Sequence, residues 1–154
     1  METIKVQKLT QEAFAPFGEV LTTEGREAGG NPASHLWYPQ TVVIDGPTSI
    51  NLMRVLPHDF VLRDFEGHDH TTENLIAMDG DLIVGMAPAG ALEADKVTAF
   101  YIPCGLGISL KPSVWHAVPF AVGKEVMSVC IFRNNTSHDD IYFDSLQEEL
   151  GLML

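Results

Sequence analysis

The chain has 154 residues, 45% of them hydrophobic and 19% charged, which is typical of one compact globular domain. Nine Lys and Arg residues against 21 Asp and Glu residues give a formal net charge of -12. Because this charge repels phosphate backbones and anionic headgroups, it disfavours binding to nucleic acid or to a membrane surface. We therefore predict a single domain, residues 1–154, whose partner is a small molecule.

The sequence also predicts a cytoplasmic protein. No run approaches the roughly 18 apolar residues of a membrane span, and residues 1–5 lack the basic and apolar regions of a signal peptide. Cys104 and Cys130 are expected to be reduced thiols, because a cytosolic domain of this size does not need a disulfide.

From the N-terminus, the first predicted element is a short helix at residues 10–14, where Thr10 is suited to cap it and Pro16 follows it. Residues 23–34 are rich in Gly, Pro and polar side chains and lack apolar periodicity. They predict a mobile loop, which is either a plain surface loop or a lid over a cavity.

The middle of the chain predicts strands. Short runs rich in β-branched and aromatic residues recur at a spacing of roughly 8–12 residues, as in a β-sandwich or barrel. The clearest runs are residues 50–55, 60–65, 82–86 and 126–132. A second helix is predicted at residues 144–150, where a capping pattern is followed by Gly151. The protein is therefore expected to be mostly β with short terminal helices packed outside the barrel.

Histidines and carboxylates are densest at residues 66–73. Residues two apart on a strand share a face, so His68 and His70 are predicted to lie side by side in a geometry suited to a metal ion. Glu66 lies at an even spacing from both histidines and would share their face of the strand. Glu73 lies at an odd spacing and would join them only if the chain turns before it. Both carboxylates are therefore candidates for the third ligand. With the distant His116, this N₃O set suits Zn, Ni, Mn or Fe.

Two motifs of the cupin superfamily are similar to this pattern, through His68, His70, Glu73 and Gly80 and then Gly105, Pro112 and His116. Only two residues separate His70 from Glu73, where three or four are usual. The resemblance implies a cupin-type double-stranded β-helix, or jelly-roll barrel. It also implies that His68, His70, Glu73 and His116 bind a divalent metal ion.

A narrower resemblance covers most of the chain. Residues 9–20, 49–54, 86–90 and 114–116, together with Glu66-x-His68, resemble the ureidoglycolate lyase family. That resemblance implies cleavage of ureidoglycolate to glyoxylate and urea in allantoin and purine catabolism, by a homodimer. The chain departs from the lyase pattern through His70 and Glu73, which complete a metal-ligand set, so a related 2-hydroxy acid derivative stays open as the substrate.

Catalytic roles follow from the chemistry of such a substrate. A metal ion would chelate its carboxylate and hydroxyl groups and lower the pKa of the hydroxyl. Glu66 is a candidate base or a group that orients a ligand imidazole, while Arg54 and Lys111 are candidates to pair with the carboxylate. Two alternatives remain: a metal-dependent cupin isomerase or dioxygenase acting on a small sugar or acid, and a non-catalytic cupin that binds a small molecule.

Overall fold

A computed structural model describes residues 1–154, and it confirms a mostly β protein. The strands are β1 (Glu2–Lys5), β2 (Gln7–Lys8), β3 (Gly18–Leu21), β4 (Gly29–Asn31), β5 (His35–Trp37), β6 (Thr48–Val55), β7 (Val61–Gly67), β8 (Glu73–Ala77), β9 (Leu82–Ala87), β10 (Thr98–Ile102), β11 (Gly107–Leu110), β12 (Trp115–His116), β13 (Phe120–Ala121), β14 (Val126–Arg133) and β15 (Tyr142–Met153). The helices are α1 (Gln11–Phe14), a 3₁₀ turn (Ala94–Lys96) and α2 (Thr136–Asp139).

Two sheets form the barrel. The larger has the order β1-β15-β7-β12-β9-β10-β2, with β13 paired to β9, and the smaller has the order β3-β11-β8-β14-β6. Neighbours in the smaller sheet come from distant parts of the chain, as in a jelly roll. This architecture confirms the cupin-type fold predicted from the sequence.

The apolar residues separate into two clusters on either side of the larger sheet. Strand β9 shows the division, because Val84 and Met86 join the 18-residue cluster inside the barrel while Ile83 and Ala87 join an 11-residue cluster on the outer face. All six residues of β9 are buried. A strand with both faces covered explains the continuous apolar run in the sequence.

The predicted N-terminal helix is confirmed as α1. The side chain of Thr10 caps it, with its Oγ1 accepting a hydrogen bond from the backbone N–H of Ala13 at 3.1 Å. This cap satisfies one of the amide groups that a helix leaves unpaired at its N-terminus.

The predicted C-terminal helix at 144–150 is wrong, because these residues belong to strand β15. Leu146 and Leu150 are both buried in the outer cluster, and a spacing of four places two residues on one face of a helix and of a strand alike. Pairing with β7 and β1 decides in favour of a strand over a helix. The register of the pairing with β7 shifts between Ser145 and Leu150. Local sequence cannot report that long-range pairing.

The predicted loop at 23–34 contains part of a small hairpin. Strands β4 and β5 pair antiparallel there, and both are exposed along their length. None of the helices has the length and apolar character required to cross a membrane.

Candidate metal centre

Four ionisable side chains converge inside the barrel from both sheets. Glu66 lies near the end of β7, and His68 follows that strand by one residue. Glu73 begins β8 in the smaller sheet, and His116 ends β12 directly opposite Glu66. One ligand atom from each of the four residues lies within 4.8 Å of the others. The cluster therefore joins the two sheets at one point.

Glu73 is the centre of this group. Its Oε2 lies 3.0 Å from Nε2 of His68 and 2.8 Å from Nε2 of His116. Oε1 of Glu66 lies 3.3 Å from the same His116 nitrogen. Glu66 is the more exposed carboxylate, while Glu73 and both imidazoles are buried.

Both imidazoles present the same nitrogen to the centre. Nδ1 of His68 lies 2.8 Å from the backbone oxygen of Asp140, and Nδ1 of His116 lies 3.1 Å from that of Val114. A carbonyl oxygen only accepts hydrogen bonds, so each Nδ1 carries the proton as donor. In the neutral ring this leaves the lone pair of Nε2 directed at the cluster, as a metal ligand requires.

The charges of the cluster are strongly coupled. Burial alone lowers the pKa of His116, but the negative charges of Glu73 and Glu66 outweigh it and raise that pKa to about 10. Burial likewise opposes ionisation of Glu73, yet the positive charges of His116 and His68 hold its pKa well below the usual range. Glu73 thus favours the charged forms of His68 and His116, and these two imidazoles favour the ionised form of Glu73.

The donor set fits a divalent metal ion. Oε2 of Glu73 and Nε2 of His116 are close together and buried, yet neither has a hydrogen-bond partner of acceptable geometry. Unsatisfied buried polar atoms are rare in proteins and call for a missing partner. Ligand atoms bound to a common ion at about 2.0–2.2 Å lie no more than about 4.4 Å apart, close to the spread seen here. A metal ion at this point would satisfy both atoms.

A cavity of about 50 Å³ opens beside the cluster. Glu66, Glu73 and His116 contribute its polar wall, and the rest is apolar, formed by Met53, Leu75, Val84, Ile108, Leu110, Ala117, Val118 and Pro119. No lysine or arginine lines it. An anionic group in this cavity could therefore interact with a positive charge only at the cluster itself.

The prediction that His68 and His70 lie side by side on a strand is wrong. Strand β7 ends at Gly67, and the chain then turns until β8 begins at Glu73. The side chain of His70 is 76% exposed and its Nδ1 lies 3.1 Å from Oδ1 of Asp140. The turn carries His70 out of the group and brings Glu73 into it.

The basic candidates are also outside the cluster. Arg54 lies on the outer face of β6, 64% exposed, with its Nη2 2.6 Å from Oε1 of Glu125. Its neighbour Met53 is the residue that faces the cavity. Lys111 is exposed and donates a hydrogen bond from Nζ to the carbonyl oxygen of Ala15 at 3.0 Å. Neither side chain is placed to bind a substrate carboxylate at the cluster.

Sequence reasoning missed two residues that contact the centre. Asp140 belongs to none of the motifs described above, yet it is buried and its backbone oxygen contacts His68. Cys130, on β14, places its thiol 3.8 Å from Oε1 of Glu73. Burial and this nearby carboxylate raise the pKa of the thiol. No local sequence pattern points to either residue, because both reach the centre through contacts with distant parts of the chain.

The fold and the cluster together define a cupin-type β-barrel with a candidate metal centre in its interior. Comparison with known proteins narrows this class. A family model described as Ureidoglycolate lyase matches residues 1–151. A ureidoglycolate lyase of Burkholderia mallei is 32% identical over 161 residues, covering 99% of this chain and 94% of that protein. One from Pseudomonas syringae pv. tomato is 26% identical over 159 residues, with coverages of 96% and 94%. The chain belongs to the ureidoglycolate lyase family.

A solved structure shows the same fold at low sequence identity. A point mutant of the 3,4-ketoisomerase QdtA from Thermoanaerobacterium thermosaccharolyticum superposes with a TM-score of 0.53 and 12% identity. The match covers 80% of this chain and 84% of that one. At this identity the likeness concerns the fold alone.

Proposed function

We propose that this protein is a metal-dependent lyase that cleaves ureidoglycolate, or a closely related 2-hydroxy acid derivative, into glyoxylate and urea. The observation that carries the proposal is the cluster of Glu66, His68, Glu73 and His116 beside a cavity, in a chain of the ureidoglycolate lyase family. In our proposal His68, Glu73 and His116 hold the metal ion, since these three are buried and point at one another. Zn, Ni, Mn and Fe all suit this donor set.

Glu66 is proposed as the proton-transfer group. It is the most exposed of the four side chains, and it lines the cavity within 3.3 Å of His116. Its carboxylate accepts the proton of the substrate hydroxyl, whose oxygen forms the carbonyl of glyoxylate as the carbon–nitrogen bond breaks. The same carboxyl group then returns the proton to the leaving nitrogen of urea. Atoms and charges balance without an oxidant or a second substrate.

A divalent metal ion would supply positive charge in a cavity that has no lysine or arginine side chain. A divalent ion held by His68, Glu73 and His116 would act as a Lewis acid toward the oxygens of the substrate. The chain has a formal charge of -12, and its cavity wall has no lysine or arginine. Binding of a carboxylate substrate is therefore expected to require the metal ion. The cavity is smaller than the roughly 300–1,000 Å³ of typical ligand sites, so the flexible side chain of Met53 is expected to move when substrate enters.

The test combines metal analysis with product release. We expect one divalent ion per chain in the purified protein, and stoichiometric urea and glyoxylate from ureidoglycolate. Removal of the metal with a chelator should abolish activity, and the metal should restore it. Zn²⁺, Mn²⁺, Ni²⁺ and Fe²⁺ are each added to the metal-free protein to identify the effective ion.

Two variants test the ligand assignment: one removes a proposed ligand, and the other is a matched control outside the cluster. His116→Ala should lose stoichiometric metal and reduce kcat/KM by at least about 100-fold, because it removes one of the three proposed ligands. His70→Ala should keep both, because its side chain lies outside the cluster. Retained metal in His116→Ala would refute the ligand assignment. Metal binding without urea release under any of the four ions would refute the substrate.

We also propose that the protein is a cytoplasmic homodimer that serves allantoin and purine catabolism. Cys104 and Cys130 are both free thiols, as is usual for proteins of a reducing compartment. Strand β6 is an eight-residue edge of the smaller sheet whose outward side chains include the highly exposed Ile50 and Leu52. Long apolar edges are usually protected by pairing, and a second copy of the same edge offers a partner without opposing like charges.

A further inference from the structure

Asp140 is a buried carboxylate in a stretch that otherwise has the composition of a surface loop. It follows α2 directly, and its side chain is only 5% exposed. A buried carboxylate needs several hydrogen bonds to offset its loss of hydration. Asp140 obtains them almost entirely from one short segment, residues 68–70.

The side chain of Asp140 holds the backbone of that segment. Its Oδ1 accepts a hydrogen bond from the backbone N–H of Asp69 at 3.0 Å, and its Oδ2 accepts one from that of His70 at 2.9 Å. Strand β7 has already ended at Gly67, so these two N–H groups have no strand partner. The carboxylate therefore replaces a sheet neighbour where the chain leaves the sheet.

The backbone of Asp140 holds the imidazole of the same segment. Its carbonyl oxygen lies 2.8 Å from Nδ1 of His68, which leaves Nε2 of that ring directed at Glu73. Asp140 therefore fixes both the backbone around His68 and the orientation of the His68 ring. His116 has no comparable support from a distant residue, because its Nδ1 bonds to Val114, two positions before it.

We infer that Asp140 is a positioning residue for His68, which keeps Nε2 of that histidine oriented for metal binding. The inference rests on the proposed metal centre and adds a remote residue to it. Groups that orient metal-binding histidines typically contribute 10- to 100-fold to metal affinity. Any residue at position 140 would offer a backbone carbonyl to His68. The specific contribution of Asp140 should therefore come from its carboxylate, which fixes residues 68–70.

The test measures metal affinity directly. Asp140→Asn preserves the shape of the side chain, but its amide nitrogen cannot accept a hydrogen bond, so one of the two backbone N–H groups loses its partner. We expect the Kd for Zn²⁺, measured by competition with a chromophoric chelator, to rise by about 10- to 100-fold. The absorption spectrum of the Co²⁺-loaded variant should also change, because the geometry around His68 relaxes.

Two matched variants distinguish positioning from general destabilisation. Asp139→Asn changes the adjacent acid, which pairs with Arg133 and does not contact residues 68–70. His70→Ala removes one contact to Asp140 and leaves both backbone hydrogen bonds. Both should keep Kd within about threefold of the wild type. A merely structural role for Asp140 would lower the melting temperature of the metal-free protein and leave Kd unchanged, which would overturn the inference.

A measurement on the wild type keeps the inference testable if Asp140→Asn does not fold. In the Zn²⁺-loaded protein, NMR should detect a slowly exchanging Nδ1 proton on His68 with a nuclear Overhauser effect to Asp140. Its absence would refute the inference. A wild type that binds no divalent metal would refute the metal centre and the inference together. Normal metal binding without urea release would refute only the proposed substrate.

Discussion

At the scale of single residues, the turn between β7 and β8 determines which side chains join the cluster. His68 and Glu73 are separated by a turn of the chain rather than by a continuous strand. The His-x-His pattern therefore pointed to the right segment but wrongly placed His70 beside His68, whereas both carboxylates that it left as candidates, Glu66 and Glu73, lie in the cluster. Glu73 was expected to join only if the chain turned before it, and the structure contains that turn.

The coupling within the cluster predicts a pH dependence for the metal-free protein. The pKa of His116 is raised to about 10, so its protonated form stabilises the fold fully below its unfolded pKa of about 6.5. This contribution is lost as pH rises through about 10. Glu73, with a lowered pKa, stabilises the fold above its unfolded value of about 4.5, and that contribution is lost as pH falls.

We expect the melting temperature of the metal-free protein to fall by at least about 3 °C between pH 6.5 and pH 10, as measured by calorimetry with a chelator present. Zn²⁺ should raise that temperature more at pH 8.5 than at pH 6, because at pH 6 protons compete more strongly for His116. His116→Gln is the control, since it has no charge to lose. An equal fall in melting temperature for this variant would contradict the assignment to His116.

At the scale of secondary-structure elements, the smaller sheet holds Glu73 in place through close backbone contacts. In β11, Leu110 pairs with Glu73 on one side and with Gly18 of β3 on the other. A Cβ added to Gly18 would lie 1.8 Å from the carbonyl oxygen of Ser109. The obstacle is backbone, so the strands would have to separate.

We therefore expect Gly18→Ala to destabilise the protein by about 3 kcal/mol, as for other insertions into a tightly packed interior. Urea unfolding gives the free energy of unfolding for comparison with the wild type. Gly29→Ala is the matched control, because a Cβ there makes only an ordinary contact at 3.7 Å and lies on an exposed strand. A Gly18→Ala protein as stable as the Gly29→Ala protein would show that β3 and β11 can separate at little cost.

At the scale of the whole molecule, the acidic surface and the apolar edge have different consequences. The charge of -12 disfavours large anionic partners, while Ile50 and Leu52 on β6 are 74% and 72% exposed. The proposed dimer would bury this edge and extend the smaller sheet into the partner. The cluster lies inside the barrel, and a single chain contributes all four of its residues.

The dimer is tested by Leu52→Glu, which places a charge on the proposed contact. We expect the wild type to sediment at twice the mass of the chain, and the variant to sediment at the mass of one chain. Met153→Glu serves as the control, because Met153 is exposed on the larger sheet and should leave the mass unchanged. A wild type that sediments as a monomer at micromolar concentration would refute the dimer, and a Leu52→Glu variant that remains dimeric would refute its location.

The sequence by itself determined the class of the fold, the segment that carries the chemistry and the family. These features are local or are repeated along the chain: alternating apolar strands, a histidine and carboxylate cluster at 66–73, and motifs that span residues 9–116. Only the tertiary structure decided that 144–150 is a strand, that Arg54 and Lys111 face away from the cluster, and that Asp140 holds His68. Each of these depends on contacts between residues far apart in the chain, which local spacing cannot specify because one spacing is compatible with more than one partner.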